Sequence, residues 1–158
     1  KVFELREKYD WNIISGIMFN HESEFRKNDY LIMQIIQSAI KIKNNKQDIL
    51  TLGSTSYIRD WSYSEDIANA IYQIVINGVS GSYVIGSGVG HKIADILDIV
   101  FNFLDLDWKK FVNIDESLLR TGDPVKIISD PHRIINDLSW KSEVSFEEMV
   151  MKCLTSKL

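Results

Sequence analysis

The sequence has only one cysteine, Cys153, so it can form no internal disulfide bond. It also lacks any apolar run of the ~18 residues that a membrane-spanning helix needs. Its 18 basic and 22 acidic residues give a net charge of −4, without a long block of Lys and Arg. Nucleic-acid binding requires clustered positive charge, and this balance argues against it. We therefore expect a globular protein of the reducing cytoplasm, with neither a nucleic acid nor a membrane as partner.

Two familiar kinds of site are missing as well. His91 and His132 stand at no metal-ligand spacing from each other or from Cys153, so the sequence predicts no metal site. The glycine-rich segment 86–90 lies between a predicted strand and a predicted helix, where a dinucleotide-binding loop would lie. The fingerprint G-x-G-x-x-G would require glycine at position 91, which is His91. These glycines are therefore predicted to serve turn geometry.

Strands alternate with helices along the chain, which predicts an α/β fold. Helices are expected at 2–9, 29–43, 62–75 and 93–104, after Asp130-Pro131, and after a cap formed by Ser145 and Glu148; strands are expected at 12–19, 49–52, 82–85 and 111–114. The segment 12–19 is an unbroken apolar run, so we expect a strand that is parallel to a neighbour and buried on both faces. A capping box of Ser62 and Glu65 is expected to begin the third helix.

Several motifs are distributed over nearly the whole chain. They are Phe19-Asn20-His21-Glu22-Ser23 with Arg26, Leu52-Gly53, Arg59-Asp60-Trp61 with Asp66, Ser129-Asp130-Pro131, Ser139-Trp140-Lys141 and Ser145-Phe146-Glu147-Glu148. Their types and spacing resemble the GDP-mannose 4,6-dehydratases, which belong to the extended short-chain dehydrogenases/reductases (the NAD-dependent epimerase/dehydratase family). The resemblance implies a Rossmann-like α/β fold. It further implies that residues 1–158 are one fragment, the end of the Rossmann part plus the small nucleotide-sugar-binding domain, with the N-terminal cofactor-binding half absent.

The resemblance implies a binding site for a nucleotide-diphosphate sugar, GDP-linked in the family, formed by Asn20, Arg59 and Arg120. The chemistry of these residues agrees, because two arginines from separate segments can clamp a diphosphate through charge-assisted hydrogen bonds. Asp60 and Asp123 follow the two arginines in sequence. We expect each carboxylate to orient the guanidinium group of the arginine that precedes it.

The resemblance also implies that His21 and Arg26 lie in the cofactor site, with NADP or NAD bound mainly by the absent half. The family's catalytic Tyr-x-x-x-Lys pair is missing, because no tyrosine of the chain has a lysine four positions later. No catalytic residue is therefore expected within these 158 residues, and the fragment alone is expected to be inactive.

The implied parent protein is a nucleotide-sugar 4,6-dehydratase, a lyase that oxidises C4 of the sugar, eliminates water across C5 and C6 and reduces C6. We expect the parent to be a homo-oligomer and the fragment to expose an apolar surface that the other half would cover. Two alternatives stay open. The first is an epimerase or 4-keto reductase of the same superfamily, because the string 120–123, Arg-Thr-Gly-Asp, resembles the epimerase branch. The second is a non-catalytic binding module.

Overall fold

The computed structural model describes all 158 residues, and helices alternate with strands along it. The helices are α1 (Val2–Tyr9), α2 (Leu31–Lys43), α3 (Ser64–Asn77), α4 (Ile93–Phe103), α5 (His132–Leu138) and α6 (Phe146–Thr155). The strands are β1 (Ile14–Met18), β2 (Asn20–Glu22), β3 (Leu50–Leu52), β4 (Ile58–Tyr63), β5 (Gly81–Ile85), β6 (Gly90–Lys92), β7 (Val112–Ile114) and β8 (Lys126–Ile127). The predicted α/β class is confirmed. None of the helices combines the length and the apolar character that crossing a bilayer demands.

Strand β4 is the centre of the largest sheet. Strand β2 lies parallel to its C-terminal half, with Asn20 opposite Trp61 and Glu22 opposite Tyr63. Its N-terminal half pairs with β6 in the antiparallel sense and with β8 in the parallel sense. Two further parallel pairs, β1 with β5 and β3 with β7, complete the strands. Because β2 and β4 are parallel and in register, the segments that follow them leave the sheet side by side.

The strand predicted at 12–19 is present as β1 and is parallel to β5, as expected. Its predicted burial on both faces is wrong. Ile14 packs against the smaller core with α3 and α5, whereas Ile17, on the opposite face, is 51% exposed and Met18, at the end of the strand, is 49% exposed. Strand β1 pairs only with β5, so the described residues cover neither its second edge nor all of its second face.

Two hydrophobic cores hold these elements together. The larger contains 20 buried residues and lies where α2, α4 and α6 pack together with β3 and β4. One stripe of α2 is fully buried there, as its 3.6-residue periodicity predicts, namely Ile32, Ile35, Ile36 and Ala39. The smaller core contains 7 buried residues between α3, α5 and β5. Strand β4 contacts both α3 and α6, and this packing fixes it from two sides.

The helix caps show where local sequence rules hold and where they fail. Ser145 caps α6, and its hydroxyl accepts from the Glu148 backbone N–H as predicted. The predicted capping box of Ser62 and Glu65 is wrong, because Ser62 lies inside β4, opposite His21 of β2. Pairing with a neighbouring strand overrides a local cap at that position, and α3 begins two residues later, at Ser64.

Several large apolar side chains are left uncovered. Helix α3 carries a stripe of them, with exposed fractions from 43% to 71%: Ile71, Tyr72, Val75 and Ile76. Phe3 of α1 and Trp11 after it are also exposed. The expected exposed apolar surface is therefore confirmed, and its coverage by another part of a longer protein stays a prediction.

Candidate functional site

Two of the three residues predicted to bind a diphosphate line one cavity. Arg59 comes from β4, and Arg120 comes from the loop after the 3₁₀ turn Glu116–Leu118. The cavity has a volume of about 210 Å³, and its walls are mainly apolar. Besides the two arginines, the lining residues are Leu31, Leu52, Gly53, Ser54, Tyr57, Ile93, Leu118, Leu119 and Asp123. The structure thus places two guanidinium groups from distant segments around a small, largely apolar space.

The Arg59 guanidinium is fixed, whereas Arg120 is exposed. Arg59 Nη2 donates to Asp123 Oδ1 at 2.9 Å, and its Nη1 donates to the backbone oxygen of Ile58 at 2.8 Å. The Arg59 Cζ atom also lies 5.3 Å from the centroid of the Tyr57 ring. With a side chain only 14% exposed, Arg59 forms a rigid wall of the cavity. Arg120 is free to adjust to a ligand.

The expected roles of the two aspartates need correction. Asp123 orients Arg59 and not Arg120, which precedes it in sequence. Asp60 orients neither arginine, because successive side chains of a strand point to opposite faces and Asp60 points away from Arg59. Asp60 is fully buried, and its carboxylate accepts from the backbone N–H groups of Ser87, Gly88 and Ser129 and from both serine hydroxyls.

The glycine-rich segment 86–90 owes its composition to this packing. Gly88 adopts a φ of 76°, in the left-handed region, and its N–H reaches Asp60. A Cβ atom on Gly90 would overlap the side chains of Ile128 and Ile58. The predicted role of these glycines in turn geometry is confirmed: they let the turn approach β4 and the segment at 128–129 closely.

The two residues predicted to bind the cofactor line a second cavity. It has a volume of about 340 Å³ and is bounded by Met18, His21, Ser23, Phe25, Arg26, Ser64, Ile67, Ala68 and Ile71. His21 Nδ1 lies 3.0 Å from the backbone oxygen of Phe19. A carbonyl oxygen can only accept, so this contact puts a proton on Nδ1, and in the neutral imidazole Nε2 is then an acceptor. His21 and Arg26 can therefore offer an acceptor and a cationic donor to the same ligand.

Asn20, the third residue predicted to bind the diphosphate, lies outside both cavities. It is exposed at the start of β2, opposite Trp61, and lines neither cavity. The structure therefore assembles Arg59 with Arg120 and His21 with Arg26, whereas Asn20 lines neither cavity.

A buried carboxyl group beneath Arg26 was not singled out from the sequence. Glu22 is 4% exposed, and its Oε2 lies 3.3 Å from Arg26 Nε. Burial raises the pKa of the Glu22 carboxyl to about 7, and the Arg26 guanidinium opposes that rise. Strand alternation carries the signal that would have found it, because His21 faces the cavity and Glu22 must then face the core.

Residues of the motifs near the end of the chain pack against the preceding elements of the fold. Asp66 of α3 is buried, and its Oδ2 accepts from the Ser142 hydroxyl and from the backbone N–H groups of Glu143 and Val144. Phe146 stacks on the His91 ring, with centroids 3.9 Å apart. The free thiol of Cys153 is buried in the larger core, as predicted. Nowhere do three or more His, Cys, Asp or Glu side chains gather so that they could hold a metal ion.

Comparison with known proteins extends these observations. A family model described as GDP-mannose 4,6 dehydratase matches residues 2–153. GDP-mannose 4,6 dehydratase 2 of Arabidopsis thaliana is 32% identical over 145 residues, which are 92% of this chain and 39% of that relative. The chain thus spans well under two thirds of that relative's length.

Solved structures share the fold at lower identity. RMD from Pseudomonas aeruginosa complexed with NADPH superposes with a TM-score of 0.85 at 17% identity, over 98% of this chain and 51% of that one. The dTDP-glucose 4,6-dehydratase of Bacillus anthracis in complex with NAD gives a TM-score of 0.84 at 18% identity, over 99% and 47%. These likenesses confirm the predicted Rossmann-like α/β fold.

Proposed function

The chain belongs to the GDP-mannose 4,6-dehydratase family, and we propose that it forms the nucleotide-sugar-binding part of such an enzyme. In this proposal residues 1–158 comprise the end of the Rossmann part and the small substrate-binding domain. The N-terminal half, which carries the cofactor loop and the catalytic residues, belongs to the rest of a longer protein. The observation that carries the proposal is the convergence of Arg59 and Arg120 on one largely apolar cavity.

The cavity suits a nucleoside diphosphate for physical reasons. Its apolar residues offer surface to a flat base, and the guanidinium groups of Arg59 and Arg120 can neutralise the diphosphate at its edge. Arg59 is held in place by Asp123 before any ligand arrives, so little side-chain entropy is lost when it binds. Arg120 is exposed and would close on the ligand from the opposite segment. Asn20 would contribute from the start of β2 once the sugar is present.

The reaction we propose for the longer protein is oxidation of the sugar at C4, loss of water across C5 and C6, and reduction at C6. A nicotinamide cofactor, NADP or NAD, supplies the hydride acceptor and donor for this chemistry when bound. In this chain His21 and Arg26 would form one wall of its site, and the acceptor Nε2 and the cationic guanidinium at the second cavity fit a polar, anionic ligand. No residue of the chain is assigned a catalytic role.

Further parts of the proposal concern the longer protein and the 158-residue chain by itself. The sugar nucleotide is GDP-linked, by membership in the family. The longer protein is a homo-oligomer. It is located in the cytoplasm, in keeping with the single, buried thiol of this chain. The 158-residue chain alone is inactive, since a hydride acceptor and a base at C4 both come from elsewhere.

Calorimetry with GDP tests the central claim. Arg59→Ala and Arg120→Ala in the 158-residue chain should each weaken GDP binding by an amount on the order of 1–3 kcal/mol, the range for hydrogen bonds to charged groups. Lys41→Ala removes the same charge from an exposed position of α2, and it is the matched control that should leave binding unchanged. If both arginine variants bind GDP as the unaltered chain does, the diphosphate clamp is wrong.

A second candidate is an epimerase or 4-keto reductase that acts on a UDP-linked sugar. The string Arg-Thr-Gly-Asp at 120–123 favours it, because this string resembles the epimerase branch and its Arg120 and Asp123 both line the cavity. UDP and GDP titrated into the same chain separate the two candidates. Tighter binding of UDP would favour the second candidate, and tighter binding of GDP the first.

A further inference from the structure

Glu22 presents an unusual arrangement for a buried acid. Its Oε2 atom is inaccessible to solvent and has no hydrogen-bond partner, and the same is true of Arg26 Nε, 3.3 Å away. The two groups attract each other as charges without closing a linear hydrogen bond. A buried carboxylate that lacks a full set of donors is costly, so this arrangement calls for a reason other than stability.

The Arg26 guanidinium lies between two contacts. On one side its Nε faces Glu22, and on the other its Cζ lies 3.4 Å from the centroid of the Tyr30 ring. The side chain is 28% exposed and borders the cavity that His21 also lines. The carboxylate and the aromatic ring together define where this cation stands at the cavity wall.

Few other ionisable groups surround Glu22. Cys153 of α6 faces it, and burial together with the Glu22 charge raises the pKa of that thiol to about 12. Tyr63, opposite Glu22 on β4, donates to Glu24, and this bond raises the pKa of Tyr63 to about 12. Lys157, two residues after the end of α6, donates to the backbone oxygen of Glu24. The thiol and the phenol therefore stay neutral near pH 7, and Arg26 is the cation that faces the carboxyl group.

We propose that Glu22 is the positioning residue of Arg26: its carboxylate holds the guanidinium against Tyr30, and its protonation releases that hold. While Glu22 is ionised, the pair presents no net charge to the cavity that His21 lines. Once Glu22 takes up a proton, the full positive charge of Arg26 faces the cavity, and an anionic ligand there is bound more tightly. The pairing stands on the geometry alone; its effect on a nicotinamide nucleotide rests on the proposed function.

Nuclear magnetic resonance on the 158-residue chain tests the pairing without any ligand. The carboxyl carbon of Glu22 should titrate near pH 7 instead of 4.5. The Nε–H signal of Arg26 should shift with the same midpoint, because the two groups share one proton-dependent contact. An Arg26 signal that does not follow the Glu22 titration, at whatever pH Glu22 titrates, would overturn the proposal.

Variants separate positioning from a general effect of pH. In Glu22→Gln the Arg26 signal should stay constant across the range, whereas Glu24→Gln, the same change two residues away, should leave both midpoints in place. Arg26→Gln should raise the Glu22 midpoint further, since the opposing charge is lost. An Arg26 signal that still titrates in Glu22→Gln would also overturn the proposal. These outcomes do not depend on whether GDP or a nicotinamide nucleotide binds, so failure here and failure of the proposed function are distinguishable.

Discussion

Replacing Glu22 by Gln should change how the stability of this protein depends on pH. The pKa of Glu22 is raised from 4.5 in the unfolded chain to about 7 in the folded one, chiefly by burial. Between these values the folded state holds a proton that the unfolded state has lost. The free energy of unfolding therefore falls as pH rises from about 4.5 to 7, and it is constant with respect to this group above that window.

The size of the effect follows from the shift. Each pKa unit corresponds to about 1.4 kcal/mol, so the shift from 4.5 to about 7 is worth on the order of 3 kcal/mol. No discount for solvent screening is needed, because the Glu22 side chain is only 5% exposed. Glutamine resembles the protonated acid in shape and carries no charge. We expect Glu22→Gln to be as stable as the unaltered chain near pH 4.5, and more stable by that amount above pH 8.

Urea unfolding followed by tryptophan fluorescence at a series of pH values gives the required free energies. The quantity of interest is the difference between Glu22→Gln and the unaltered chain, because contributions of the other carboxylates cancel in it. Glu24→Gln is the control. Hydrogen bonds from its own backbone and from Tyr63 lower the pKa of Glu24. The stability that Glu24 contributes is therefore lost only as pH falls below 4.5, and it does not change above that pH. A Glu22→Gln difference that does not change between pH 5 and 8 would refute the reasoning.

Three further predictions concern other parts of the molecule. Asp60→Asn should destabilise the fold by about 3 kcal/mol in urea unfolding, because the buried carboxylate accepts from Ser87, Gly88 and Ser129 and an amide must turn an N–H toward one of these donors. Ser145→Ala should cost about 1 kcal/mol through loss of the α6 cap, whereas Ser145→Thr should retain most of it. The chain alone should produce no 4-keto-6-deoxy sugar from GDP-mannose, and it should purify without a bound nicotinamide cofactor. Both results are measured by chromatography. Turnover or bound cofactor would contradict the assignment of the catalytic residues to another segment.

Much of the fold could be predicted because its signals are local. The stripe of apolar residues in α2, the cap at Ser145 and the alternation of helices and strands each depend on neighbours in sequence. The capping box at Ser62 failed because a strand partner, β2, competes for that position and lies about 40 residues away in sequence. Sequence patterns of this kind describe what a segment prefers, and they do not say which distant segment will pair with it.

The candidate site shows the same difference between what sequence patterns predict and what folding sets. The residue types could be predicted without a structure, since the charges and lone pairs that a nucleotide-sugar and a cofactor need are present in Arg59, Arg120, His21 and Arg26. Folding sets the partners of these residues. Asp123 pairs with Arg59 across 64 positions, whereas Asp60, which follows Arg59 in sequence, points into the core. Folding also sets the state of Glu22, because a carboxyl pKa responds to burial, and burial is a property of the packed chain. The residue types determine which groups can be charged. Packing determines the free energy of burying each charge and the opposite charge that it contacts.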